Sequence, residues 1–376
     1  MIKLTTAGES HGKMLVGIIE GLPSNMPVDI GEIDKYLALR QSGYGRGGRQ
    51  KIENDRVEIL AGVRNKLTLG SPVAFCVKNK DYENWRPYMA AEGADVTEKT
   101  LTRVRPGHAD LAGMIKFDQT DARNILERAS ARETAVRVAG GTVARQYLRE
   151  LGVSVSGYVK SVCGVSDEGY HDFGELESAK SQPLFMLDGQ VQKRAMELID
   201  RLKEEGDTAG GVAEIRVRGL KSGFGSCMTY AEKLDAILCG AAMSVQAVKG
   251  VEIGLGFGAA ALAGSKVHDE IYLKDGRYVR STNNAGGIEG GMSNGEDIVL
   301  RAAMKPIPTL MKGLKTVDTA TGGACVAASE RSDVAAICAM EIILESVVCT
   351  ALSSVVSARL GGDNLKEVKK RYALLP

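Results

Sequence analysis

Apolar and polar residues alternate from Met1 to Thr6, turn through Gly8 to Gly12, and resume as an apolar run from Met14 to Ile19 that ends at Gly21, Leu22 and Pro23. Period-two patterning predicts strands, and the short glycine-bounded turn predicts that this pair is antiparallel. Asp29 followed by Glu32 predicts a capped helix running to about Arg40, broken by the glycine and arginine cluster Ser42 to Arg49. Strand-like stretches follow at Val57 to Leu60 and Pro72 to Val77. Ser130 with Glu133 predicts a second capped helix reaching Leu151 and stopping at Gly152. Its interior Gly140 and Gly141 each cost roughly 1 kcal/mol relative to alanine, so a neighbour is expected to pack closely there. Further helical patterns run from about Met186 to Glu205, from Tyr230 to about Val248, and from near Asp333 to just before Gly361. Between them lie strand-like Val212 to Val217 and Val251 to Leu255, and a hairpin from Ile271 to Val279 turning on Asp275 and Gly276. Strands and helices do not alternate one for one, and no proline- or serine-rich linker divides the chain. The pattern predicts one α+β domain over residues 1–376.

Composition narrows the function classes. The 376 residues carry 48 basic and 47 acidic side chains, a net charge of +1. That balance argues against coating nucleic acid or a membrane, so any polyanion site must be local. Aromatic residues are 5% of the chain with one tryptophan, which leaves few platforms for stacking single-stranded bases. The seven cysteines include no CxxC pair, which fits reduced thiols better than a disulfide frame or a zinc site. No metal site is read. With no basic leader and no run of about 18 apolar residues, the expected compartment is the cytoplasm, with no membrane partner.

Four histidines occur, and His11 (in GESHG) and His108 (in RPGHAD) sit in tight glycine-bounded turns. Such a histidine serves either as a hydrogen-bonded turn residue or as a group facing a cavity. His171 and His268 lack that setting. Arginines cluster at Arg40, Arg46 and Arg49; at Arg103 and Arg105; at Arg123, Arg128, Arg132 and Arg137; and at Arg331. Each cluster fits a solvated face, but Arg128 and Arg132 flank the predicted helix cap Ser130, where free N–H groups favour an anion. Asp333, at the predicted start of the last helix, reads either as a cap or as a base beside Arg331. The segment GLGFGAA, Gly254 to Ala260, lacks the third glycine of a dinucleotide fingerprint and runs into the predicted hairpin instead of a crossover.

Eight blocks, in order, resemble the chorismate synthase family: GESHG, RQSGYGRG (Arg40 to Gly47), RPGHAD, ARNILERASARETAVRVAGG (Ala122 to Gly141), KGVEIG (Lys249 to Gly254), GGMSNGEDI (Gly290 to Ile298), KPIPT (Lys305 to Thr309) and ERSD (Glu330 to Asp333). Where many relatives read RHDPC this chain reads RSDVA from Arg331 to Ala335, a departure that bears on backbone shape more than on chemistry.

The resemblance implies a large single domain with helices sandwiched between two antiparallel β-sheets, assembled as a homotetramer. It implies a 1,4-elimination of phosphate from an enolpyruvyl shikimate phosphate, dependent on reduced FMN although no net redox change occurs. By the same resemblance His11 is the acid for the departing phosphate, His108 protonates or stabilises the reduced ring, and Asp333 relays the proton taken from the substrate. Arg128, Ala129, Ser130, Gln246, Ala247, Gly291, Lys305, Pro306, Ile307, Pro308, Thr309 and Arg331 match segments that hold FMN. Arg40 and Arg46 match positions assigned to NADPH as reductant. Arg49, Arg105, Arg132 and Arg137 are the candidates for the anionic small-molecule substrate. The sequence leaves open whether the chain reduces its own flavin, and the lack of an evident second domain favours an external flavin reductase or reductant.

Overall fold

The computed structural model describes residues 1–47, 54–92, 97–328 and 332–376. Near the N-terminus, Lys3–Ala7 and Met14–Glu20 pair antiparallel, with Thr5 opposite Ile18. Val73–Lys78 joins on the other side of Met14–Glu20, and Val57–Ala61 closes this four-stranded sheet. A second antiparallel sheet has five strands in the order Val248–Ile253, Ile298–Met304, Gly211–Arg218, Ser154–Val162 and Val165–Ser166. Burial alternates strictly along Ile298–Met304, so one face of that strand enters the core.

Three helices fill the space between the sheets. Thr134–Arg149 packs on the first sheet, Ile337–Leu360 packs on strands Ser154–Val162 and Gly211–Arg218, and the two helices pack on each other with Ile30–Gln41 beside them. A contiguous apolar cluster runs from Leu15 and Phe75 through Val138 and Tyr147 to Leu344, Ile215 and Leu300. The expected arrangement of helices between two antiparallel sheets is what the chain forms.

Gly140 and Gly141 show why this helix carries glycines. A Cβ on Gly140 would lie 2.8 Å from the Leu4 side chain, and one on Gly141 would lie 2.5 Å from both the backbone oxygen and the Cβ of Ser346. The second contact is with backbone and cannot yield by a rotamer change. Gly141→Ala is therefore expected to destabilise the protein by about 1–3 kcal/mol, the usual cost of overpacking. Urea unfolding checks this, and an unchanged midpoint would mean that the two helices part freely.

Helix Ile337–Leu360 reaches a mean hydropathy of 1.7 over 18 residues, enough in length and composition to cross a membrane. This corrects the expectation that no segment is so apolar. Within that window 78% of the residues are buried inside the fold, which is how a core helix reads. Its Glu341 and Glu345 are fully buried, and Glu345 pairs with Lys180 at 2.8 Å and Arg145 at 2.6 Å. Burial and the neighbouring Glu345 push the Glu341 carboxyl well above its ordinary range.

Other expectations shift in detail. Asp29 does cap Ile30–Gln41 through the Glu32 N–H, but the Glu32 carboxylate turns to Gln146 and Arg149. The long helix expected from near Asp333 begins at Ile337 and has no side-chain cap, and a shorter helix, Leu365–Ala373, capped by Asn364, follows it. Asp333 is drawn away by partners far along the chain, described below. Ser130 caps a short 3-10 turn, Ala131–Glu133, that leads into Thr134–Arg149, and Glu133 bonds Thr6 and Gln246 instead of returning to Ser130. The pattern from Tyr230 resolves into a 3-10 turn, a helix Leu234–Met243 and a strand from Val248. Gly256–Ala261 forms a 3-10 turn, and the hairpin Ile271–Lys274 with Arg277–Arg280 follows, turning on Asp275 and Gly276 at positive φ.

Candidate active site

His11 sits in the turn between the first two strands, and that turn is fastened on several sides. Gly8 takes φ 108°, open to glycine and costly for other residues. The Asn79 amide donates to the carbonyls of Glu9 and Gly12, the Ser10 N–H donates to the Glu127 carbonyl, and the Arg128 guanidinium donates to the carbonyls of Thr6 and Gly8. The His11 ring places Nδ1 2.9 and 3.0 Å from the two Glu127 carboxylate oxygens and stacks on Trp85 with centroids 4.0 Å apart. Burial raises the Glu127 carboxyl, but the hydrogen bonds from His11 and the charge of Arg123 outweigh it and hold the group below its ordinary range.

His108 lies in a second turn, opened by Gly107 at φ 77°. Its Nδ1 meets Oδ1 of the fully buried Asp110, which also takes Arg105 Nε at 2.9 Å. Both histidines thus turn Nδ1 toward a buried carboxylate. Burial pushes the Asp110 carboxyl up, and hydrogen bonds from His108 and Arg105 then bring it well below the ordinary carboxylate range. A carboxyl depressed in the fold contributes stability above its unfolded value, and that contribution is lost as pH falls. The Tm gap between wild type and Asp110→Asn is accordingly expected to be widest near neutral pH and to shrink below about pH 4. A gap independent of pH would contradict the pairing.

Asp333 accepts the Gly47 N–H at 2.6 Å and pairs with Arg46 at 2.9 Å. Arg40 donates to the Thr134 hydroxyl and the Ala131 carbonyl, while Arg132 donates to Asn79 at 2.9 Å and to the buried Asp55 at 2.6 Å. Burial pushes the Arg40 guanidinium down to about 9, which keeps it charged at neutral pH.

These groups meet in one cavity of about 520 Å³. Its wall includes His11, His108, Asp333, Arg40, Arg46, Arg105, Arg132, Ala129, Ser130, Gln246, Ala247, Lys305, Ile307, Pro308 and Thr309. Among the described residues five cationic side chains and a single carboxylate, that of Asp333, line it. Leu126, Val245, Met304, Ala339, Met340 and Ile343 supply an apolar portion. Buried atoms without a partner among the described residues include Arg46 Nε and Gln246 Oε1. Ala247 is held at φ 68°, a conformation that costs an L-residue about 1–2 kcal/mol. Strain and unpaired polar atoms in a cavity wall mark a place prepared for a ligand.

The remaining expected residues lie elsewhere. Arg128 is committed to the His11 turn, Arg137 donates to the Ser244 carbonyl and hydroxyl, and Pro306 is exposed beside Gly210. Gly291 sits in a small hairpin where its carbonyl receives the Leu234 N–H. None of the four lines the cavity in this chain. Arg49 and Arg331 lie outside the described residues. His171 pairs with Asp167 at 2.9 Å, and His268 is exposed. Glu127, Asp110 and Asp55 were not singled out from the sequence. Asp110 stands two residues from His108 within RPGHAD, a signal that could have found it.

The fold is α+β, and its cation-lined chamber, with two carboxylate-anchored histidines in the wall, has the charge that suits an anionic ligand. A family model described as chorismate synthase matches residues 2–356. A chorismate synthase of Alkaliphilus metalliredigens is 52% identical over 374 residues, covering 99% of this chain and 98% of its own. One of Geobacter sulfurreducens is 50% identical over 385 residues, with 99% and 98% covered. A crystal structure of chorismate synthase superposes with a TM-score of 0.80 at 38% identity, covering 99% of this chain and 96% of that one. This chain belongs to the chorismate synthase family.

Proposed function

We propose that the chain converts 5-enolpyruvylshikimate 3-phosphate to chorismate by 1,4-elimination of phosphate, with reduced FMN held in the same cavity. The observation that carries this reading is the convergence of His11, His108, Asp333 and four arginines, far apart in sequence, on one chamber. A substrate with a phosphate of about −1.5 to −2 charge and two carboxylates needs concentrated cations, and in a protein of net charge +1 those must be local. Arg40, Arg46, Arg105 and Arg132 supply them. Arginine suits phosphate and carboxylate because its planar fork donates two parallel hydrogen bonds. Arg40 and Arg46 share this wall, so a nicotinamide nucleotide would have to use the same chamber.

Phosphate leaves as its charge is neutralised by the arginines and by a proton from His11 Nε2. The hydrogen lost from the ring carbon has no adjacent carbonyl to acidify it. Reduced flavin, when bound, supplies an electron-rich ring that can lend charge to such an allylic system. The residues present suit it: Ala129, Ser130, Gln246, Ala247, Lys305 and Ile307 to Thr309 offer an apolar wall, hydroxyls and the unpartnered Gln246 oxygen. His108, anchored by Asp110 and beside the Arg105 guanidinium, stands at the same wall, where its ring would stabilise the reduced flavin by hydrogen bonding, with no net proton transfer. Asp333 takes up the proton released in the elimination.

We assign residues 1–376 to one catalytic domain, supported by the apolar cluster shared by both sheets. Self-association, as a homotetramer, fits the exposure of Met228, Tyr230, Phe257, Leu273 and Tyr278, each at least 70% accessible. Seven free cysteines suit a reducing cytoplasm. Flavin reduction is assigned to an external reductase or reductant, since the strand after Val248 leads into a 3-10 turn and a hairpin instead of a nucleotide-binding crossover. Anaerobic assay with photoreduced FMN and no nicotinamide tests the proposal. Chorismate is expected to form; its absence, with nicotinamide oxidised in step with product when supplied, would favour an oxidoreductase.

A further inference from the structure

We propose that Glu127 is a positioning residue for His11: by keeping a proton on Nδ1, it makes Nε2 the nitrogen that exchanges its proton with the ligand. The inference rests on His11 acting as the acid described above. An ionised carboxylate only accepts hydrogen bonds, so a ring nitrogen 2.9 and 3.0 Å from its two oxygens must carry hydrogen. Glu127 is 2% exposed, and its depressed titration agrees with an ionised acceptor.

Its geometry leaves the imidazole little freedom. Glu127 Oε2 also receives the His11 backbone N–H at 2.8 Å, which fixes the carboxylate against the residue whose ring it holds. Arg123 donates to Oε1 at 3.3 Å from one turn earlier on the same helix. One ring face lies on Trp85, whose indole N–H is held by Asp81 at 3.0 Å and over which Arg123 and Lys99 also sit. With the Nδ1 edge and a face taken, Nε2 is the polar atom His11 can present to the cavity it lines. A histidine so held can neither flip its ring nor change tautomer without breaking a buried pair.

A merely structural Glu127, serving Arg123 and the backbone, would give different results. Two readouts separate the roles. In ¹⁵N-histidine NMR of the ligand-free protein, above the histidine titration range, the signal lost in His11→Ala identifies this ring. It is expected to be the Nδ1–H tautomer, the minor form of free histidine, and to lose that state in Glu127→Gln. In the kinetic cycle, Glu127→Gln is expected to lower kcat at least about 10-fold with KM little changed, and by no more than the roughly 10²- to 10⁴-fold that loss of the acid itself costs. Added to His11→Ala, the same substitution should have no further effect.

The proposal is overturned if the ring is an Nε2–H tautomer in the wild type. It is also overturned if Glu127→Gln leaves kcat unchanged, or lowers it equally with and without His11. Should the glutamine variant fail to fold, Glu127→Asp, with its shorter reach, makes both comparisons. If His11→Ala itself has no effect on turnover, the acid assignment fails while the tautomer measurement still judges Glu127.

Discussion

Replacing His11 with alanine is expected to slow phosphate elimination by about 10²- to 10⁴-fold, the usual contribution of a positioned general acid. Flavin binding should survive, because the residues assigned to it stand on other segments: the Ala129–Ser130 turn, Gln246 and Ala247, and Lys305 to Thr309. The fold should survive too. Glu127 keeps Arg123 and the backbone N–H of residue 11 as partners, so no buried carboxylate is left alone. Anaerobic turnover with saturating reduced FMN measures the loss, and flavin titration measures binding. Turnover at the wild-type rate would remove His11 from the mechanism.

Asp333→Asn is expected to reduce activity by about 10²-fold or more while flavin still binds. Two losses combine. Asparagine cannot take up the released proton, and although its oxygen can still accept the Gly47 N–H, it no longer supplies a charge opposite Arg46. Arg46 is largely buried and its Nε already lacks a partner among the described residues, so losing its carboxylate leaves a cation whose position is poorly fixed. Separate determination of kcat and KM divides these contributions. A fall in kcat supports proton uptake, and a change confined to KM would restrict Asp333 to holding Arg46. A folded variant with normal kinetics would remove it from the site.

Local patterns carried a good part of this structure. The first strand pair, the helix start at Asp29, the close contact at Gly140 and Gly141, and the hairpin turn at Asp275 and Gly276 each depend on residues within a few positions, and each is found. Strands Ser154–Val162 and Ile298–Met304 escaped the pattern reading. Their runs are interrupted by Ser156, Gly157 and Ser161 in one and by Arg301 with its flanking alanines in the other, which blunts the alternation that marks a strand.

The site divides the same way. His11 and His108 announce themselves by their turns, whereas the carboxylate holding His11 stands 116 residues away, and Asp55 meets Arg132 across 77. No local period encodes such pairs. Asp333 is the instructive failure, since a carboxylate before an apolar run reads as a cap. Tertiary partners 286 and 287 residues distant claimed it instead, and the helix begins four residues later without one.

The central claim is that one chamber in a nearly neutral protein gathers enough cations and anchored histidines to hold a flavin and a polyanion together. A crystal structure of the protein with FMN and 5-enolpyruvylshikimate 3-phosphate tests it most directly. Both molecules are expected between the Ala129 to Arg132 turn and Lys305 to Thr309, with the phosphate ester in hydrogen-bond reach of His11 and of at least one of Arg40, Arg46, Arg105 and Arg132. Flavin or substrate seated elsewhere, with this chamber filled by solvent, would contradict the account.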